Sequence, residues 1–331
     1  MLALSIFASA SPVEAAPFAS EAAPIISGYG DFRFQYDPTR LALPDGTQLL
    51  NAHGLVLDPR DKSIILTYEP VHPSDDKHCM IKWKPDGTGG VTIGPGEELC
   101  AGTPHGLRLS IEDDEYFLYH ANNAQSLHKT RMDGSIVWAL HGPPTPDPKF
   151  LPNKPTWFAA VPGSGRVYMS DGYGSNYIHA YTTKGTYLGY SFGGRGTGDG
   201  QFSTCHSINW DARVGQLIVS DRENHRHQFF STPTDAKAAP NVTYESQFTV
   251  PELKRPCNLR VASDNKTAVV PALEGPVGIL NASNQLVSLV DVGGLLGDQG
   301  HKYPHDAMLL PSGDLIVATW NPGRLSYWKR L

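Results

Sequence analysis

The chain has no run of about 18 consecutive apolar residues, so no membrane-spanning helix is expected. Charge is scarce as well: 18% of the residues are charged, the net charge is −6 at pH 7 and the pI is near 6.1. That balance supplies no basic face for nucleic acid or an anionic membrane. Only four cysteines occur in 331 residues, and none forms a Cys-x-x-Cys pair, which excludes a disulfide-built scaffold and a thiolate zinc ribbon. Cys79 and Cys100 flank a turn region and could bridge in an oxidising compartment. Cys205 and Cys257 occupy repeat positions described below, where pairing is not expected. A nucleotide loop is missing too. The segment "GGRGTGDGQFSTCHSINW" (193–210) has no Gly-Lys-Ser/Thr ending and opens onto alternating residues rather than a helix. Its glycines suit a flexible crossing between two sheets.

What the chain does have is 33 glycines and 27 prolines without a collagen period, a composition of many turns and short strands. The first 20 residues, "MLALSIFASASPVEAAPFAS", carry an apolar run followed by small-residue sites at Ala8-Ser9-Ala10 and Val13-Glu14-Ala15. They are expected to be a signal peptide, although a positive n-region is lacking, with residues 21–331 forming one domain. Sequons at Asn241, Asn265 and Asn281 suit a secreted glycoprotein.

A repeat is hidden in the histidines. The segments "AHGLVLDP", "PHGLRLSI", "PTWFAAVP", "CHSINWDA", "PCNLRVAS" and "PHDAMLLP" align on His53, His105, Thr156, His206, Cys257 and His305, with gaps of 52, 51, 50, 51 and 48. After each key residue comes an alternating apolar strand, a turn, and a second strand such as "GRVYMSDGY" or "GQLIVSDRE". One four-stranded unit per ~50 residues predicts an all-β, six-bladed β-propeller. "YGDFRFQY" near the amino end is placed to close the ring against the last blade.

Residues at the start of each innermost strand converge on the axis of a propeller. A single histidine before a strand is usually structural, but four at six equivalent positions are better explained by convergence on a metal. Neutral imidazoles suit Zn²⁺, which is catalytic when three protein nitrogens leave a position open. Second-strand residues near the axis add Tyr68, Tyr173, Arg222 and Trp320, the last read as rim packing.

The segments "TPHGLRLS", "SDGYGSN", "TCHSINW", "SDREN" and "YPHDAMLLPSGDLIVA", in this order, resemble the peptidyl-alpha-hydroxyglycine alpha-amidating lyases, the lyase core of peptidylglycine alpha-amidating enzymes, over about residues 50–331. The resemblance implies an NHL-repeat propeller and a zinc-dependent lyase that cleaves a carbinolamide C–N bond to an amide and glyoxylate. It implies zinc on His105, His206 and His305, catalysis by Tyr173 and Arg222, and a structural calcium (Ca²⁺) held by Asp306 with Leu55 and Leu107. Tyr173 would act as base with its pKa lowered by the metal and Arg222.

The chain also departs from that pattern. His53 stands where the family has a small residue, as a fourth nitrogen or a separate base. Tyr68 stands in place of a first-blade arginine, and Tyr303 in place of a methionine; both are assigned with Arg222 to substrate binding. The expected partner is a small-molecule or peptide substrate, and the expected state a monomer. Two other readings stay open: a non-catalytic NHL-type binding propeller, and a metal-dependent propeller lactonase or hydrolase, against which the richness in histidine counts.

Overall fold

The computed structural model describes residues 23–71, 78–94 and 96–331; the signal-peptide expectation for residues 1–20 lies outside them. Six antiparallel sheets follow one another around a ring, so the fold is a six-bladed β-propeller. Blades 1 to 6 begin with the inner strands Leu49–Leu57, Pro104–Glu112, Trp157–Val161, Cys205–Asp211, Arg260–Val261 and Tyr303–Leu309. His53, His105, His206 and His305 lie within these strands, whereas Thr156 and Cys257 lie just before theirs. The periodicity of the sequence therefore reproduces the geometry of the ring.

Ring closure comes from the two ends of the chain. Phe32–Tyr36 pairs with the third strand of blade 6, Arg324–Arg330, in the register Phe34↔Arg330 and Tyr36↔Trp328, and so becomes its fourth strand. Ile26–Tyr29 adds a fifth strand outside it. As expected, "YGDFRFQY" fastens the last blade.

Each blade is covered on both faces by its neighbours, so middle strands such as Arg166–Ser170 are buried at every position. Outer strands such as Thr243–Phe248 are half-buried to exposed throughout. The core divides into wedges between adjacent blades. One joins Leu55, Ile64 and Trp83 of blade 1 to Met308 and Ile316 of blade 6; another joins Trp157 and Tyr168 to Ile208 and Val219 across blades 3 and 4. The glycine loop crosses from the outer strand Tyr187–Gly193 to the inner strand Cys205–Asp211 and buries Phe202 beneath it. Gly193 and Gly194 have φ of 100° and 102°, a conformation that L side chains resist. Cys79 and Cys100 form a disulfide, while Cys205 and Cys257 are buried and unpaired. Asn241 and Asn265 are exposed and Asn281 is half-buried.

Candidate metal centre and cavity

The inner strands deliver four imidazoles to the axis. Ring centroids are 4.6 Å apart for His53 and His105, 4.7 Å for His105 and His305, 4.7 Å for His206 and His305, and 5.0 Å for His105 and His206. All four side chains are buried. Three are aimed by the following blade: Nδ1 of His53 meets the Pro104 carbonyl at 2.5 Å, that of His105 the Thr156 carbonyl at 2.8 Å, and that of His206 the Cys257 carbonyl at 2.7 Å. A carbonyl only accepts, so in each ring Nδ1 carries the proton and Nε2 presents a lone pair. Two of these three carbonyls, those of Thr156 and Cys257, come from the blades without a histidine. Nδ1 of His305 has no hydrogen-bond partner among the described residues, and its Nε2 lies 3.1 Å from Nε2 of His105.

Burial lowers the pKa of His53 to about 4. Burial, and then the neighbouring histidines and Arg222, hold His105 and His305 well below the ordinary range. His206 is lowered by burial and then by Arg222. These rings are neutral at pH 7, the ligand form of imidazole, and a buried set of Nε2 lone pairs with one orphaned nitrogen fits a divalent transition metal. His53, His105 and His305 form the tight group, with ligand atoms all within 4.8 Å.

His206 is adjacent but differently engaged. The Tyr173 hydroxyl lies 3.0 Å from its Nε2 and 3.4 Å from that of His105, and accepts a 2.9 Å hydrogen bond from Arg222 Nη1. The polarity follows: Arg222 donates to the phenol oxygen, and the phenol donates to His206. Burial raises the Tyr173 pKa despite Arg222, so the protein's own groups keep the phenol neutral. Arg222 stays charged because Tyr173, Cys257 and Glu223 together outweigh its burial.

Above the histidines opens a cavity of about 720 Å³ whose wall includes Tyr173, Arg222, Tyr303 and Trp320. Tyr303 packs on Trp320 with ring centroids 5.9 Å apart, so both stand at the rim. Tyr68 is absent from that wall. Its backbone position is at the end of the second strand, but its ring is fully buried in the wedge between blades 6 and 1, which corrects its expected role in touching substrate. The neighbouring Glu69 lines the cavity instead, accepting from Asn51 Nδ2 at 2.5 Å and Thr103 Oγ1 at 3.3 Å. Arg255 joins the wall with Nη2 2.8 Å from Glu223 and Nη1 2.5 Å from Glu274. Sequence reasoning missed both. Alternation flags Glu69, since one-residue neighbours in a strand face opposite sides.

The site assigned to calcium does not fit that ion. Oδ2 of Asp306 accepts from the Leu55 amide and from Arg260 Nη2, each at 2.8 Å, while Oδ1 accepts from Asn258 at 2.7 Å and from the Ala307 amide at 2.9 Å. Arg260 Nη2 also donates to the Leu55 carbonyl at 2.7 Å. The carboxylate and one of the expected carbonyls are therefore committed to a guanidinium. Leu107 lies on the neighbouring inner strand, and Arg108, the next residue, brings a second, half-buried cation whose pKa is lowered to about 10 by desolvation and then by Arg260.

No protein-family model matches the chain. A stretch of 84 residues is 38% identical to the peptidyl-glycine alpha-amidating monooxygenases of Mus musculus and Rattus norvegicus. That match covers 24% of this chain and 9% of either relative's length. The homology is partial. In three dimensions, a chain from the crystal structure of a nidogen/laminin complex superposes with a TM-score of 0.52 at 15% identity, over 81% of this chain and 93% of that one. This second likeness concerns the fold alone.

Proposed function

We propose that the protein is an exported, zinc-dependent carbon–nitrogen lyase that splits a carbinolamide into an amide and an aldehyde, glyoxylate where the substrate is an alpha-hydroxyglycine. The observation that carries this reading is the Tyr173–Arg222 pair set against buried, neutral imidazoles at the floor of a cavity. The partial likeness to the amidating monooxygenases agrees with it.

His105 and His305 would hold the zinc, with His53 completing the tightest group; His206, the ligand implied by the resemblance, stands alongside. Zinc would supply Lewis acidity toward the substrate hydroxyl. The chain's own residues account for the proton traffic. Tyr173 takes the hydroxyl proton as its own passes to the His206 Nε2 that already faces it. The oxygen electron pair forms the C=O bond, the C–N bond breaks with its pair on nitrogen, and the departing amide nitrogen regains a proton from this network. Arg222 holds the phenol oxygen in place and stabilises negative charge there. Atoms and electrons balance without water or an oxidant. Export and the use of sequons belong to the same proposal, supported by the Cys79–Cys100 bridge and the exposed Asn241 and Asn265.

Elemental analysis of protein purified without added metal tests the reading, alongside glyoxylate release from alpha-hydroxyglycine peptides. Zinc that disappears in His105→Ala, with glyoxylate release by the wild type, is the expected result. A folded wild type that neither contains nor takes up zinc overturns the lyase reading and leaves the binding propeller.

A further inference from the structure

Blade 2 carries a second cluster of imidazoles, remote from the axis. Its third strand, Ser126–Arg131, pairs with the outer strand Ile136–His141 in the register His128↔Ala139 and Ser126↔His141. Residues two apart share a face, so His128 and His141 project from the same side as diagonal neighbours. Their ring centroids are 6.1 Å apart. The short helix Glu97–Cys100, tied down by the Cys79–Cys100 disulfide, brings Glu98 to the pair. Oε1 of Glu98 lies 3.7 Å from Nε2 of His128 and 3.7 Å from Nε2 of His141.

The decisive member is His128. It is fully buried, yet neither ring nitrogen has a hydrogen-bond partner among the described residues. Buried polar atoms are rarely left unpaired, and an orphan of this kind calls for a ligand or another functional reason. Beside it across the strand pair, His120 bonds Thr130 Oγ1 at 2.9 Å through Nε2 and leaves its own Nδ1 unpaired.

We propose that His128, His141 and Glu98 form a second, peripheral binding site for zinc or a similar first-row divalent ion. Two imidazole nitrogens and one carboxylate oxygen are the donor set such ions take, with water filling the remaining position. Ligand atoms around a tetrahedral zinc stand about 3.3 Å apart, given bonds of about 2.0–2.1 Å. The two 3.7 Å separations to Glu98 need closure by a few tenths of an ångström, whereas the His128 and His141 rings, with centroids 6.1 Å apart, need a larger approach. His141 and Glu98 are 66% and 50% exposed in their side chains, so they can supply that movement and give the ion a way in, while His128 stays fixed.

The test is zinc titration of the metal-stripped, full chain by calorimetry, with elemental analysis after gel filtration, comparing wild type with the double variant Glu98→Gln, His141→Ala. Both substituted side chains are half-exposed or more, which limits the effect on folding. The wild type is expected to take up one more equivalent of zinc than the double variant, and His141→Ala alone to weaken that equivalent on the order of tenfold or more. Equal uptake and affinity in all three proteins overturns the site. The axial centre is read separately: one equivalent in the wild type and none in the double variant supports the blade 2 site and counts against the axial one.

Discussion

Replacing Arg260 by leucine removes the cation that bridges blades 5, 6 and 1. Its Nη2 satisfies both Oδ2 of the fully buried Asp306 and the carbonyl of Leu55, at 2.8 Å and 2.7 Å, and only 13% of its side chain is exposed. Stripping one partner from a buried ion pair strands the other charge and costs about 3–5 kcal/mol. For a chain of 331 residues, an unfolding entropy of about 2.1 cal/mol/K per residue gives about 0.7 kcal/mol per degree. The expected loss is therefore a fall in Tm of roughly 4–7 °C, measured by differential scanning calorimetry. Calcium supplies the complementary arm. With the guanidinium gone, Asp306 and the Leu55 carbonyl become available oxygen ligands, so millimolar calcium should restore part of the lost Tm in the variant and leave the wild type unchanged. A Tm in Arg260→Leu within a degree of the wild type would refute the argument, as would a wild type that contains calcium and gains Tm from it.

Tyr173→Phe should lower kcat for glyoxylate release by about 10²–10⁴-fold with zinc content unchanged, because only the proton relay is lost. In Gly106→Ala the new methyl group would collide with the Thr156 carbonyl that orients His105, so stability should fall by about 1–3 kcal/mol in denaturant titration, and zinc affinity should fall with it. The double substitution Cys79→Ser, Cys100→Ser opens a loop of sequence separation 21, for which chain entropy gives a loss of about 3 kcal/mol in the same titration. Elemental analysis of His53→Ala beside His206→Ala identifies the third zinc ligand; the tight grouping of His53 with His105 and His305 predicts that His53→Ala loses the metal and His206→Ala retains most of it.

Much of the fold was legible because a propeller writes its period into the chain. Each blade must begin with a strand buried on both faces and end in a turn, so one alignment on His53, His105, Thr156, His206, Cys257 and His305 carried the blade count and the convergence together. Closure by "YGDFRFQY" was legible too, since a strand without a sequence partner must find an edge. The environment of Tyr68 was not. Its ring turns into the wedge between blades 6 and 1, while Glu69 faces the cavity, and the choice of face depends on a bulged register between Leu49–Leu57 and Ile64–Pro70 that no spacing reveals.

The sequence by itself determined that six strand starts meet at one axis and that imidazoles occupy four of them, because repeat spacing and residue type survive without coordinates. Tertiary structure alone decided how those groups are engaged. It placed the Tyr173 hydroxyl on His206, gathered His53 with His105 and His305, and set Arg260 where calcium was expected. It also brought Glu98 to His128 and His141 from a separate helix. The physical reason is range: hydrogen bonds and metal ligation are decided over a few tenths of an ångström between side chains of different blades, whereas sequence periodicity fixes only which strand, and which turn of the ring, each side chain belongs to.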